Sequence, residues 1–114
     1  MEIRINNIKN YSKKEQTIVI RDNGISLIEG NSCYEKMLSK DVSFVNSIGS
    51  ELSKIMFGWK EEYVGSRSID GEKYHIVVDV NHKKKKYKIQ NKFPDNWDEF
   101  LLLKKQILGD EFYD

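Results

Sequence analysis

Apolar and polar residues alternate along several stretches of this chain, and such stretches predict β-strands. At the N-terminus, Ile3 and Ile5 alternate with charged residues, which predicts a short strand over residues 2–8. A strand of this kind places its isoleucines on one face and its charged residues on the other. The polar residues 9–15 that follow predict a loop.

The segment QTIVIRDNGISLIEG predicts a β-hairpin. Its two β-branched runs are separated by Asn23-Gly24, which is the strongest short-range hairpin signal and suits the positive φ angles of a type I′ turn. With this two-residue loop, Ile20 pairs with Leu27. The apolar residues that then share the face assigned to the core are Ile18, Ile20, Ile25 and Leu27.

The middle of the chain changes from strand spacing to helical spacing. Residues 30–40 predict a loop, and Ser39 or Asp41 is suited to the N-cap of the following helix. Gly49 within this helix permits close packing. The connection over residues 60–71 is long for a compact domain, and such loops are often functional. The apolar residues at helical spacing are Val45, Ile48, Leu52, Ile55, Met56 and Trp59.

The C-terminal half begins with a second hairpin. Residues 74–80 alternate and predict a strand, with the lysine-rich segment as the next strand. We place the turn between them at His82-Lys83. In that register Val78 pairs with Tyr87 on the apolar face, and opposite charges meet on the other face.

A proline and a capped helix complete the pattern. Pro94 cannot take part in a ladder and ends the second strand. Asp95 or Asn96 caps the helix, and Asn96 with Glu99 resembles a capping box. Gly109 stands where a helix C′ residue is expected. The apolar stripe of this helix consists of Trp97, Phe100, Leu101, Leu103, Ile107 and Leu108.

The elements predict an α+β fold of two layers. In the order βββαββα, an antiparallel sheet of about five strands carries two helices on one face. The length of 114 residues fits a single domain, residues 1–114. The other sheet face is partly polar, which makes it a candidate binding surface.

Composition narrows the function classes only a little. A net charge of +1 gives no global field that would steer the chain towards nucleic acid or an anionic membrane. The one cysteine, Cys33, excludes an intramolecular disulfide and indicates a reducing compartment. The chain has no signal-peptide pattern and no membrane-length apolar run, so we expect a cytoplasmic protein. Many Asn, Ile and Lys residues with one proline indicate an AT-rich bacterial or phage genome.

The strongest charge feature is the run Lys83–Lys86, followed by Tyr87 and Lys88. Clustered lysines bind phosphates, and a nearby aromatic ring can stack on a nucleobase, which favours nucleic-acid binding. The same lysines would bind an acidic protein partner. Lysines at a hairpin tip also prevent edge-to-edge aggregation, so a merely solvated hairpin is the third interpretation.

No combination of residues predicts an active site. His75 and His82 lack a partner at metal-ligand spacing, and nothing pairs a nucleophile with a base. Cys33 lies outside any C-x-x-C motif. We therefore expect no catalytic residue, no metal and no cofactor. An enzyme whose site is assembled from distant acidic residues remains an alternative.

The C-terminal hairpin and helix start carry a recurring pattern. The chain reads D-G-x-x-Y-x-I-x-V and then N-K-F-P-D-N-W-D-E-F, over a little more than a quarter of its length. This resembles small uncharacterised domains of Gram-positive bacteria that read D-G-x-x-W-x-I and N-x-Y-P-x-N-F-x-x-F, with Tyr74, Phe93 and Trp97 as the departures. The resemblance implies a shared fold and no active site. Such small bacterial proteins often look like toxin-immunity or inhibitor partners.

We therefore expect a non-enzymatic, intracellular protein-binding module of the immunity or inhibitor type, as a monomer or homodimer. A nucleic-acid-binding protein that uses the lysine-rich hairpin is the alternative. Phe112 and Tyr113, in the short acidic tail, are further exposed candidates. The residues expected to contact the partner are Lys84, Lys86, Lys88, Glu61, Glu62 and Tyr63.

Overall fold

The computed structural model describes residues 1–9, 14–30, 34–66 and 71–109. Within these ranges the strands are β1 (Glu2–Lys9), β2 (Lys14–Arg21), β3 (Gly24–Glu29), β4 (Lys36–Leu38), β5 (Glu62–Val64), β6 (Glu72–Val80) and β7 (Lys83–Gln90). The helices are α1 (Val42–Met56), between β4 and β5, and α2 (Trp97–Leu108), after β7. The predictions for Cys33, for Asp70 at a turn and for the tail with Phe112 and Tyr113 lie outside the described residues.

The α+β class is confirmed, whereas the predicted strand number and element order are wrong. The described strands form one seven-stranded sheet in the order β4-β3-β2-β1-β6-β7-β5. All neighbours are antiparallel except β5 and β7, which are parallel, so the sheet is mixed. The two additional strands, β4 and β5, have three residues each and lie at the two sheet edges. Three residues are too few to show an alternation, so both fell in segments predicted as loops.

Both helices cover the same face of the sheet. Alternate residues of the long strands point towards this face and join the helices in one buried cluster. The strand residues predicted for the core are all at most 1% exposed: Ile18, Ile20, Ile25 and Leu27. The opposite face carries no helix among the described residues.

The first hairpin has a different register from the one predicted. Arg21 pairs with Gly24, so the loop residues are Asp22 and Asn23, and Ile20 pairs with Ile25. Gly24 is buried, and a Cβ there would lie 3.2 Å from Cε of Met37 on β4. The glycine therefore serves close strand packing and not the turn. The pairing partners shift by two residues, which leaves every side chain on its predicted face.

The second hairpin turns one residue earlier than predicted. Its loop residues are Asn81 and His82, with φ angles of 53° and 64°, the left-handed values of a type I′ turn. As a result Tyr87 pairs with Ile76 and Val78 pairs with Lys85. Asparagine tolerates this conformation at little cost, which explains why the turn forms here and not at His82-Lys83.

Helix α1 begins as predicted. Asp41 is its N-cap, and the Asp41 carboxylate accepts a hydrogen bond from the backbone N–H of Phe44 at 2.7 Å. The helix ends at Met56, so Trp59 lies beyond it and not on its apolar stripe. Gly49 permits the expected close packing, because a Cβ there would lie 2.7 Å from the sulfur of Met1.

Helix α2 has the predicted position but not the predicted cap. Asn96 occupies the N-cap position, yet its side chain makes no capping bond. Instead it accepts a hydrogen bond from Nε1 of Trp59 at 2.7 Å and donates one to the carbonyl of Ile55 at 2.8 Å. Strand β7 ends at Gln90, so Pro94 is not the residue that ends it, contrary to the prediction. The next residue, Asn91, has a left-handed φ of 59°.

Candidate partner-binding face

The sheet face without helices has two different halves. On β1 to β3, charged side chains pair with one another in an ionic network of Glu2, Arg4, Arg21 and Glu35. Arg4 and Arg21 both contact the Glu2 carboxylate, with N···O distances of 2.8 and 3.4 Å. Arg21 also contacts Glu35 at 3.1 Å. These long side chains leave Val19 with 0% exposure although it lies on the face opposite the helices. The hydrogen bond from Arg4 lowers the pKa of Glu2, and that from Arg21 lowers the pKa of Glu35.

The other half of this face carries a basic row, which is the set of side chains of Lys84, Lys86 and Lys88 on β7. They alternate with core-facing residues, so successive lysines are about 7 Å apart along the strand. Asp79 is the cross-strand neighbour of Lys84, and Glu62 is that of Lys88. Within the described part of the chain, no carboxylate oxygen lies within 4 Å of a basic-row nitrogen. The basic row is therefore open to an external anion.

The sheet brings together four of the six residues predicted to contact a partner, namely Lys84, Lys86, Lys88 and Glu62. The backbone N–H of Lys88 donates to the carbonyl oxygen of Glu61 at 2.8 Å, and Glu62 is next to Lys88 in the β5–β7 register. Glu62 thus lies at the end of the basic row. Glu61 and Tyr63 alternate to the helix side, where Glu61 acts on Tyr87 and Tyr63 is half-buried, with its hydroxyl accepting a hydrogen bond from the Lys60 N–H at 3.0 Å.

His75 lies beside the basic row on β6. Its side chain is exposed and lies opposite Lys88 across the strands. Partial desolvation by the neighbouring side chains lowers the pKa of His75, and the ammonium groups of Lys73 and Lys88 lower it further. The imidazole is therefore neutral at pH 7, and the positive charge of this half of the face comes from lysines.

Aromatic rings are absent from the basic row. Tyr87 alternates to the helix side and is 6% exposed. Trp59 contacts it edge-on, with ring centroids 5.8 Å apart, and Trp97 is 8% exposed in the core. The tryptophans therefore contribute to packing. The aromatic cluster on the helix side consists of Trp59, Tyr74, Tyr87, Phe93, Trp97 and Phe100.

An apolar groove of about 220 Å³ lies on the helix side of the same hairpin. Phe57, directly after α1, stands at its rim with 84% exposure. Sequence reasoning missed this groove, because α1 and the hairpin that form it are distant in sequence. The lining residues are Ser53, Met56, Phe57, Val78, Val80, Lys83, Lys85 and Tyr87.

A buried polar cluster at the other end of the core was also missed. Lys104 is 4% exposed, and its ammonium group donates to the Tyr74 hydroxyl at 2.9 Å and to Oδ1 of Asn7 at 3.2 Å. Burial lowers the pKa of Lys104 to about 8 and raises the pKa of Tyr74. Asn7 and the buried Gln16 are polar residues at core-facing positions of β1 and β2. This interruption of the apolar alternation is the sequence signal that could have indicated a buried polar cluster.

The described residues contain no group of three or more His, Cys, Asp or Glu side chains positioned to hold a metal ion. Neither α1 nor α2 has the length and apolar character needed to cross a membrane. The chain matches no family model, no curated protein and no solved structure.

Proposed function

We propose that this protein is a non-enzymatic binding module whose basic row contacts an acidic surface of a partner protein. The observation that carries the proposal is the contrast between the two halves of the helix-free face. The ionic network neutralises its own charges on β1 to β3, whereas the basic row makes no ion pair within 4 Å among the described residues. Complementary charge is a common basis for rapid and selective association between proteins.

A protein partner fits the basic row better than a nucleic acid does. Single-stranded nucleic acids are bound by combining basic side chains with aromatic rings on which the bases stack. Tyr87, the ring next to these lysines in sequence, is on the opposite face and buried. A neutral His75 is the one ring beside the basic row on the described strands. The experiment must therefore distinguish binding of an acidic protein from nucleic-acid binding through phosphate contacts alone.

Within this proposal, the immunity or inhibitor class describes how such a module would act. A small domain of this class acts by covering a surface of its target and needs no chemistry of its own. The basic row, with Glu62 at its end, is a mixed-charge patch on a rigid sheet. A rigid sheet fixes the backbone positions from which these side chains extend, so binding requires no ordering of the backbone.

The test is affinity capture from nuclease-treated lysate of the source cell, with two matched variants. Lys84→Glu/Lys86→Glu reverses the basic row, whereas Lys83→Glu/Lys85→Glu makes the same charge change on the other face of the same strand. The proposal predicts one stoichiometric protein captured by the wild type and by the second variant, and lost with the first.

Two results would overturn the proposal. Capture that disappears after nuclease treatment would assign the basic row to nucleic acid, with an affinity that falls steeply with salt. Equal capture by both variants would remove the basic row from the interface. Circular dichroism of both variants shows whether each retains the fold.

A further inference from the structure

The outer edge of β7 is only partly covered. Among the described residues, β5 alone pairs with this edge, and it reaches only Lys88, Ile89 and Gln90. Residues 83–87 of β7 therefore have β6 on one side and no strand of the described chain on the other. Five residues of strand present an open edge about 17 Å long.

The register shows which backbone groups face outwards along this edge. Lys88 donates its N–H outwards to Glu61, and Gln90 accepts an outward bond from Gly65. Since N–H and C=O groups alternate in side along a strand, Lys84 and Lys86 also direct theirs outwards. Two donors and two acceptors of the main chain are therefore available between the basic row and the apolar groove.

A second copy of this chain does not suit this edge. Antiparallel pairing of two β7 edges would place basic-row lysines directly opposite each other, and like charges in that position are destabilising. Lysine-rich edges are a common means by which proteins prevent such self-association. The edge instead favours a strand with carboxylates on one face.

We propose that the open edge of β7 binds an extended acidic segment of the partner by adding it to the sheet as a further strand. This rests on the proposed function and specifies how the basic row is used. The carboxylates of the guest strand would meet the basic row on one face. Its alternate apolar side chains would lie on the helix side, next to Lys83, Lys85 and Tyr87 of β7, which line the groove together with the exposed Phe57.

Two features of the edge support an added strand. A shallow concavity beside it is lined by Glu61, Lys84, Lys85 and Lys86, so a chain can approach the backbone here. Strand addition draws affinity from main-chain hydrogen bonds and specificity from alternate side chains. Glu61, directly before β5, marks the end of the available edge.

The test is titration of the full chain with the blocked peptide Thr-Glu-Val-Glu-Val-Glu-Thr, followed by amide hydrogen exchange. We expect saturable binding and slower exchange of the Lys84 and Lys86 amides.

Two N-methylated peptides, one methylated at the glutamates and one at the valines, are matched controls. In an added strand, only the N–H groups of the glutamates or only those of the valines point towards β7. Methylation of that set should weaken binding about tenfold or more, and methylation of the other set should leave the affinity unchanged. Loss with the glutamate set indicates an antiparallel guest, and loss with the valine set a parallel one.

Other outcomes overturn the inference. Binding that Lys84→Glu/Lys86→Glu abolishes but that neither N-methylated peptide weakens would leave the basic row as the contact and exclude strand addition. A peptide with glutamates and valines in separate blocks must bind more weakly, and equal affinity excludes the alternating fit. Absence of binding at millimolar peptide excludes this occupant, whereas the proposed function is decided separately by the capture experiment.

Discussion

The backbone N–H of Lys88 donates to the carbonyl oxygen of Glu61 at 2.8 Å, and this bond marks where the outer edge of β7 becomes covered. From Lys88 to Gln90 the edge is paired with β5, and from Lys83 to Tyr87 it is open within the described chain. The same strand thus changes from an interior strand to an edge strand part-way along its length. The basic row spans this change, with Lys84 and Lys86 on the open part.

We predict an alternating pattern of amide hydrogen exchange along β7 in the free protein. The amides of Lys85 and Tyr87 bond to β6 and should exchange slowly, whereas those of Lys84 and Lys86 face solvent and should exchange at least about tenfold faster. The Lys88 amide should be slow again. Residue-resolved exchange by NMR checks this, and uniform protection from Lys84 to Tyr87 would show that the edge is already covered.

The contact between Trp59 and Asn96 should contribute measurably to stability. Asn96→Ala removes the bonds to Trp59 and to Ile55, and two such partly buried bonds are worth about 2 kcal/mol of unfolding free energy. Asn96→Asp retains the acceptor for Trp59 but places a carboxylate oxygen against the Ile55 carbonyl, so it should not restore the wild-type stability. Urea denaturation measures both, with the exposed Asp95→Ala as control. A loss with Asn96→Ala no larger than that of the control would contradict the assignment.

Lys104 should make the protein more stable at pH 9 than at pH 7. Its pKa is about 8 in the folded protein against an ordinary value of 10.5, so the unfolded chain binds more protons in this interval. Stability then rises with pH wherever the unfolded state binds more protons, and the charged form penalises the fold below pH 8. The two pKa values give a gain of about 1 kcal/mol between pH 7 and pH 9.

The matched variant for this effect is Lys104→Met, which removes the titrating group but keeps most of the buried chain. Its unfolding free energy, measured in urea at both pH values, should lack the gain seen in the wild type. The absolute stability of the variant is not the readout, because Asn7 and Tyr74 lose a hydrogen-bond donor. The same pH dependence in both proteins would show that Lys104 is not the group responsible.

Gly65 should be required for the docking of β5 on β7. A Cβ at this position would collide with the backbone carbonyl of Asn91, which cannot move as a flexible side chain can. Gly65→Ala should therefore cost about 1–3 kcal/mol of unfolding free energy and accelerate exchange of the Lys88 amide. The neighbouring exposed residue provides the control, Ser66→Ala. Equal stability of the two variants would contradict this close approach.

The parts of the fold that local pattern determines were predictable from sequence. The cap at Asp41 and the buried faces of β2 and β3 follow from side-chain chemistry and from periods of 3.6 and 2 residues. Both hairpin registers were wrong, because a shift of two residues leaves the same residues on the same face. A tertiary contact, Met37 against Gly24, accounts for the first register, and the left-handed conformation of Asn81 in the turn accounts for the second.

The candidate site was predictable in part for the same reason. Alternation alone places Lys84, Lys86 and Lys88 on one face, so the basic row could be read from sequence. The position of Glu62 beside it could not, because β5 has three residues and pairs with a strand distant in sequence. Lys104 lies four residues after Phe100 and three before Ile107, so its burial was indicated by helical spacing but not recognised.

The dissociation constant of the captured partner for the two double variants, at low and moderate salt, decides whether the basic row is the contact. We expect Lys84→Glu/Lys86→Glu to weaken binding about tenfold or more, with a smaller salt dependence than the wild type has. Lys83→Glu/Lys85→Glu, with the same net charge, should weaken binding clearly less, because these side chains face the apolar groove and not the carboxylates of the partner. Equal weakening by both variants would show that the total charge of the hairpin, and not its outward face, attracts the partner.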